Sequence, residues 1–255
     1  MVRTCHVLDR YDHLMMQLQN HPKFSAVKRV VVVTKYAHMA AVKTLAQERS
    51  HCHFAENRLE GLKEKKSALK NYPISWIYLG ALQSRKIKQI VSLADEIHSV
   101  ASLGQLRHIA REATKQNKVI NVYLQVHLAE PQKNGFVISD HPLSWLANCH
   151  HDHNQVVSSD TLVDDHEDKM LWRQESAPVR SAVKILGLMA MPPLSHSRHY
   201  KLTSLIPTSY YHIVSLGRGY GFQEISLGMS EDWSAGLTAG ATEIRIGRSI
   251  FQREL

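Results

Sequence analysis

The chain is poor in cysteine. Cys5, Cys52 and Cys149 are three in 255 residues and no two stand at a paired spacing, which argues against a disulfide framework or a zinc knuckle and fits a reducing compartment. Long apolar runs are also missing. No stretch approaches the ~20 residues of a membrane span, and residues 1–20 carry polar side chains throughout, without the apolar centre of a secretory signal. The positive excess, 31 Lys and Arg against 23 Asp and Glu, lacks both a dense basic block and interleaved aromatics. It therefore reads as solvated helix faces rather than a nucleic-acid surface. The expectation is a soluble, cytoplasmic protein with neither nucleic acid nor membrane as a partner.

What is present is apolar sequence for one large core, 44% of the chain, enough for a single domain over residues 1–255. Leu8, Tyr11, Leu14, Met15 and Leu18 recur at spacings of three and four and predict a helix ahead of the first strand. Residues 27–35 hold a β-branched run that predicts a strand covered on both faces. Helices are expected at 40–48, 58–70, 83–93 and 103–115, alternating with strands at 53–55, 74–79, 96–100 and 119–128. Strands at 183–189, 224–227 and 243–246 bring the count to eight, with a helix at 233–238 between the last two. A helical region after 183–189 reaches about residue 211, while 212–221, with three glycines near its end, has no clear assignment. Residues 148–179, rich in Asp, His, Ser and Gln, read as a polar surface insertion. This alternation predicts parallel strands with crossover helices, in an open sheet or a closed barrel.

In a closed barrel, functional residues gather where strands run into helices. Those ends supply Lys35, Glu56-Asn57, Gly80 with Gln83, Ser99, His127, Met189, Ser226 with Ser230, and Arg245 with Gly247. A lysine attacks an aldehyde only when its amine is neutral, which requires desolvation or a nearby cation. The apolar run before Lys35 suggests such a setting, and the alternative is a strand-end lysine reaching solvent. Ser226 to Ser230 and Gly247-Arg248-Ser249 offer hydroxyls, unhindered amides and a cation to an anion. Arg245 alternates with Ile244 and Ile246, so it faces the other way, and an inward arginine is costly unless it meets a ligand or a carboxylate. An amine facing an anion cradle and an inward arginine suits a phosphorylated aldehyde, with pyridoxal 5′-phosphate as the leading candidate. His51-Cys52-His53 and Cys149-His150-His151-Asp152-His153 contain metal-ligating residue types. In a strand the first pair would compete with packing, and the second cluster opens the insertion, so no metal site is expected. Glu56 is expected to support the barrel mouth rather than to act as a base.

Thr34-Lys35, Glu56-Asn57, Leu79-Gly80-Ala81-Leu82-Gln83-Ser84-Arg85-Lys86, His98-Ser99, Gly187-Leu188-Met189, Leu227-Gly228-Met229-Ser230-Glu231-Asp232 and Arg245-Ile246-Gly247 together resemble the pyridoxal phosphate homeostasis proteins. Those are relatives of the N-terminal barrel of alanine racemase, and the resemblance runs in order from about residue 27 to residue 251. It implies one (β/α)₈ barrel of the alanine racemase N-terminal type, with an extra N-terminal helix. It further implies pyridoxal phosphate in a Schiff base with Lys35 and its phosphate held by Ser226 and the Gly247-Arg248 turn. Met229 and Ser230 would line the phosphate side, Asn57 would lie beside the ring, and Arg245 would face the ring nitrogen and keep it unprotonated.

The implied role is that of a monomeric, noncatalytic carrier in vitamin B6 balance, delivering the cofactor to pyridoxal-phosphate-dependent apo-enzymes. A racemase needs a second acid/base on the opposite face, supplied in alanine racemase by a further C-terminal domain, and none is expected after Leu255. The alternatives are an amino-acid racemase or lyase using Tyr36, Tyr78 or His127 as that second group, and an interaction module that has lost the cofactor. Ala55 stands where the family commonly has glycine and Arg248 where it commonly has threonine. Arg248 is expected either to strengthen the phosphate site or to crowd it.

Overall fold

The valine run becomes the first strand of a parallel barrel in a computed structural model that describes residues 2–127, 135–137, 174–191 and 208–251. The strands are β1 (Arg29–Val33), β2 (His53–Glu56), β3 (Ser75–Tyr78), β4 (Glu96–Val100), β5 (Ile120–His127), β6 (Phe136–Val137), β7 (Val183–Ala190), β8 (Glu224–Ser226) and β9 (Glu243–Ile246). Pairing runs β4-β3-β2-β1-β9-β8-β7-β5, and a β4–β5 pairing closes the ring of eight. β6 adds to β5 as a short ninth strand. It was not anticipated, because two residues carry no periodicity. The helices are α1 (Val2–Gln19), α2 (Met39–Glu48), α3 (Leu59–Ala68), α4 (Ser84–Leu93), α5 (Leu103–Lys115), α6 (Ala177–Ser181), α7 (Thr208–Gly219), α8 (Trp233–Ala239) and α9 (Arg248–Phe251).

Outward strand residues such as Val32, Phe54, Trp76 and Ile97 pack beneath the inner stripes of the helices and form the main core. Such a layer forms because each parallel strand alternates its side chains between barrel interior and helix layer. Val7, Tyr11, Leu14 and Leu18 bury one face of α1, which packs on α2 and α9. Arg10 Nε donates to the Ile250 carbonyl at 2.7 Å, tying the first helix to the last. Among the described residues no helix is long and apolar enough to cross a membrane.

Several boundaries differ from expectation. β1 ends at Val33, and Lys35 lies in a turn closed by Ala37 N–H to Thr34 O at 2.9 Å. The unassigned residues 212–221 belong largely to α7. Its glycines hid it, yet Gly217 lets the helix approach the sheet, because a Cβ there would lie 2.7 Å from Ile225 and 3.0 Å from Leu188. Of the expected insertion, residues 148–173 lie outside the described residues. Its last residues lead into α6, and Glu175 pairs with Arg111 at 2.5 Å.

The barrel interior is divided. Val31, Ala55 and Ile77 make an apolar wall on β1 to β3, whereas the floor is ionic. Arg29, at the start of β1, crosses to Glu96 on β4 with two bonds of 2.7 Å and also pairs with Glu243 on β9. It donates to the Tyr123 hydroxyl at 2.9 Å as well. His98, wholly buried, lies 2.9 Å from Glu96 and 3.3 Å from Glu243, with its ring 4.1 Å from that of Tyr123.

Burial alone would raise the two carboxylates. Hydrogen bonds from His98 and Arg29 instead pull Glu96 down to about 2, and the nearby charge of His98, then that of Arg29, does the same for Glu243. Burial alone would depress His98, but Glu243 and then Glu96 outweigh it and raise its pKa. The carboxylates therefore contribute stability above their ordinary range that is lost as pH falls towards 2. The imidazolium contributes stability below its ordinary value that is lost as pH rises through its raised value. Urea unfolding should show greatest stability between about pH 4.5 and 6.5, and His98→Gln should flatten the alkaline decline. Arg29→Met strands two buried carboxylates and should lose about 3–5 kcal/mol.

Candidate functional site

The C-terminal strand ends open into a mouth built in three parts. The first is the turn after β1. Thr34 is buried, and its hydroxyl donates to Glu56 Oε1 at 2.7 Å. Lys65 Nζ, from α3, pairs with the same oxygen and donates to the Thr34 carbonyl at 2.9 Å. Glu56 thus supports the mouth, as its lack of a catalytic partner suggested, and the cation that neutralises it was missed. The signal was present in the sequence, since Lys65 falls with Leu62 and Leu69 on the apolar stripe of a lysine-rich helix. Lys35 itself is exposed, with Nζ 4.9 Å from the centroid of the Tyr36 ring. The desolvated setting expected from the preceding valines is absent from this structure, because the chain leaves the strand two residues before the lysine.

The second part is Arg245. As its alternation with Ile244 and Ile246 predicted, it points into the barrel, and it is 4% exposed. Nη1 donates to the Ser226 carbonyl at 2.9 Å and to Ser226 Oγ at 2.6 Å, and Nη2 donates to the Ala190 carbonyl at 2.8 Å. Among the described residues no carboxylate pairs with it, so an ion pair is not what holds it. Burial lowers its pKa, opposed by Glu243. Ser226, expected at the phosphate, is instead wholly buried beneath this arginine, with its hydroxyl 2.5 Å from Glu243 Oε1.

The third part is the pair of turns after β8 and β9. The backbone N–H groups of Gly247 and Ser249 converge on Ser230 Oγ at 3.2 and 3.3 Å. Gly247 is required by close approach, because a Cβ would lie 2.9 Å from the Val33 carbonyl. Met229 N–H donates to Asp232 Oδ1 at 2.6 Å, and Tyr210 donates to Oδ2 at 2.6 Å, which fixes the loop that carries Ser230. Arg248 turns outward and pairs with Glu231 at 2.9 Å, so its bulk does not fill the cradle. Asn57, at the exit of β2, keeps Oδ1 buried without a partner.

Tyr36 is 59% exposed, and Tyr78 is buried, with burial raising its pKa. His127 and Met189 are buried, and Gln83 immediately precedes α4. Ser99 donates to the Gly80 carbonyl at 2.6 Å. His51 commits both ring nitrogens, to the Tyr11 hydroxyl at 3.0 Å and the His53 carbonyl at 2.9 Å. No group of three metal-ligating side chains occurs among the described residues, and Cys149 to His153 lie outside them.

The sequence matches the family model for the alanine racemase N-terminal domain over residues 8–166. The chain belongs to this family. Among similar members is a pyridoxal phosphate homeostasis protein of Deinococcus radiodurans, 27% identical over 223 residues and 88% of each chain. A protein of the same name from Synechocystis is 29% identical over 226 residues, 88% of this chain and 90% of that one. PipY of Synechococcus elongatus, solved with PLP bound, is 25% identical with a TM-score of 0.68, covering 96% of this chain and 99% of that one. An alanine racemase of Clostridium difficile shares the fold at 10% identity, with a TM-score of 0.63 over all of this chain and 57% of that one. The resemblance read from seven motifs and the predicted (β/α)₈ barrel are both borne out.

Within the family barrel, Lys65→Met should leave Glu56 buried and unpaired at a cost of about 3–5 kcal/mol. Urea unfolding should show most of that loss recovered in the double variant Lys65→Met/Glu56→Gln.

Proposed function

We propose that this chain binds pyridoxal 5′-phosphate at the C-terminal mouth of its barrel and carries it in vitamin B6 balance without catalysing a reaction of its own. The observation that carries the reading is Arg245. It is a buried guanidinium facing the interior, with three of its five N–H donors engaged and no carboxylate against it among the described residues. A buried cation so placed suits an acceptor brought in by a ligand. Asn57 Oδ1, buried and without a partner, and the convergent amides of Gly247 and Ser249 suit the rest of such a ligand.

In this reading Arg245 donates to the pyridine nitrogen and keeps it unprotonated. Asn57 lies beside the ring, and Met229, Ser230, Gly247 and the backbone N–H of Arg248 hold the phosphate, the Arg248 side chain being turned to Glu231. Ser226 serves through Arg245 rather than by touching phosphate. When bound, the cofactor supplies an aldehyde, and Lys35 is the amine this mouth offers to it. The Thr34–Glu56–Lys65 contacts hold the turn that carries that amine. The names of the relatives support a role in homeostasis. We extend the proposal to a cytoplasmic monomer that hands the cofactor to pyridoxal-phosphate-dependent apo-enzymes, with residues 148–179 as a surface insertion in a single domain.

Titration with pyridoxal 5′-phosphate should develop a visible imine absorbance that Lys35→Ala abolishes. Borohydride reduction followed by peptide mapping should place the pyridoxyl group on Lys35. A label confined to another lysine would overturn the assignment.

A further inference from the structure

Arg245 differs from an ordinary buried arginine in how its counter-charge is delivered. The carboxylate of Glu243 is the near anion, yet it does not touch the guanidinium. Its oxygens are taken by Arg29, His98 and the Ser226 hydroxyl, and Ser226 Oγ is what meets Arg245. A serine hydroxyl has one proton to give. An ionised carboxylate has none, so the Ser226 proton points to Glu243 Oε1 and a lone pair of Ser226 Oγ faces Arg245 Nη1. The hydroxyl is thereby held in one orientation, and Nη1 is held between it and the Ser226 carbonyl.

Because a guanidinium is planar and rigid, fixing the two Nη1 donors and one on Nη2 also fixes where the remaining two point. A direct salt bridge would have taken those donors for a carboxylate. The serine spacer keeps the charge unspent and the plane locked.

Resting on the pyridoxal phosphate reading above, we propose that Ser226 is a positioning residue for the ligand's ring nitrogen. Its hydroxyl, oriented by Glu243, holds the Arg245 plane so that a free N–H meets an unprotonated ring acceptor. The ionic floor of the barrel is in this way connected to the mouth through one hydroxyl.

Ser226→Ala removes the hydroxyl while leaving Arg29, Glu96, His98 and Glu243 paired with one another, and Ser226→Thr keeps it. Pyridoxal 5′-phosphate affinity and the pH response of the bound cofactor's absorbance would be measured for wild type, both Ser226 variants, Arg245→Ala and Ser226→Ala/Arg245→Ala. Ser226→Ala should bind about tenfold more weakly, the worth of one charge-assisted hydrogen bond. Its absorbance should become pH-dependent where the wild-type band is not, and Ser226→Thr should restore both properties. The double variant should be no worse than Arg245→Ala alone, since Ser226 acts only through that side chain.

Wild-type affinity and absorbance in Ser226→Ala, or additive losses in the double variant, would overturn the positioning role while leaving the binding site standing. Failure of wild type to form an imine at all would instead overturn the reading on which it rests.

Discussion

Arg29 holds the structure across its width. Its guanidinium reaches from β1 to Glu96 on β4 and to Glu243 on β9, so one side chain ties strands on different sides of the ring. His98 on β4 against Glu243 on β9, and the Tyr123 hydroxyl on β5 donating to Glu224 on β8, add further side-chain links between strands that are not neighbours in the ring. The cost of taking these charges out of water is met by dense mutual bonding with His98 and Tyr123, and breaking one partner would leave the others exposed to that cost. The apolar wall of Val31, Ala55 and Ile77 fills only part of the interior, so the floor cannot be read as an ornament on a hydrophobic core.

What this arrangement makes available is a rigid platform beneath the mouth. Glu243 belongs to the floor, Ser226 stands above it and Arg245 above that. On the adjacent strand, the Thr34–Glu56–Lys65 group performs a similar service for the turn carrying Lys35. Both halves of the candidate site therefore rest on buried charged groups bonded to other protein groups. The turn cradle at Ser230 and Gly247 is held by a different device, the Asp232 carboxylate bonded to Met229 N–H and the Tyr210 hydroxyl.

Much of this was legible in the residues. The strand at 96–100, the helix at 103–115 and the last strand at 243–246 fell where their periodicity put them, because each alternates or repeats without interruption. The inward direction of Arg245 followed from its two isoleucine neighbours alone. Helix α7 was obscured by Gly217, whose reason is packing against Ile225 and Leu188 and so is invisible in a linear sequence. Ser226 was assigned to phosphate because its segment looked like an anion turn, whereas one position of strand register decides that it faces Arg245. Lys65 and Arg29 were both missed. A charged residue in a lysine-rich helix or at a strand start looks solvated: the place of Lys65 on the stripe of Leu62 and Leu69 was its one sequence signal, whereas the partners of Arg29 lie 67 or more residues away.

The proposed site grips a pyridine ring between Arg245 and the amine on the turn after β1. A crystal structure grown with pyridoxal 5′-phosphate should show continuous density from Lys35 Nζ to the ligand, the ring nitrogen within hydrogen-bond distance of Arg245, and the phosphate against Ser230 and Gly247. A ligand lodged elsewhere, or a phosphate facing Arg245 with Lys35 still over Tyr36, would overturn this site.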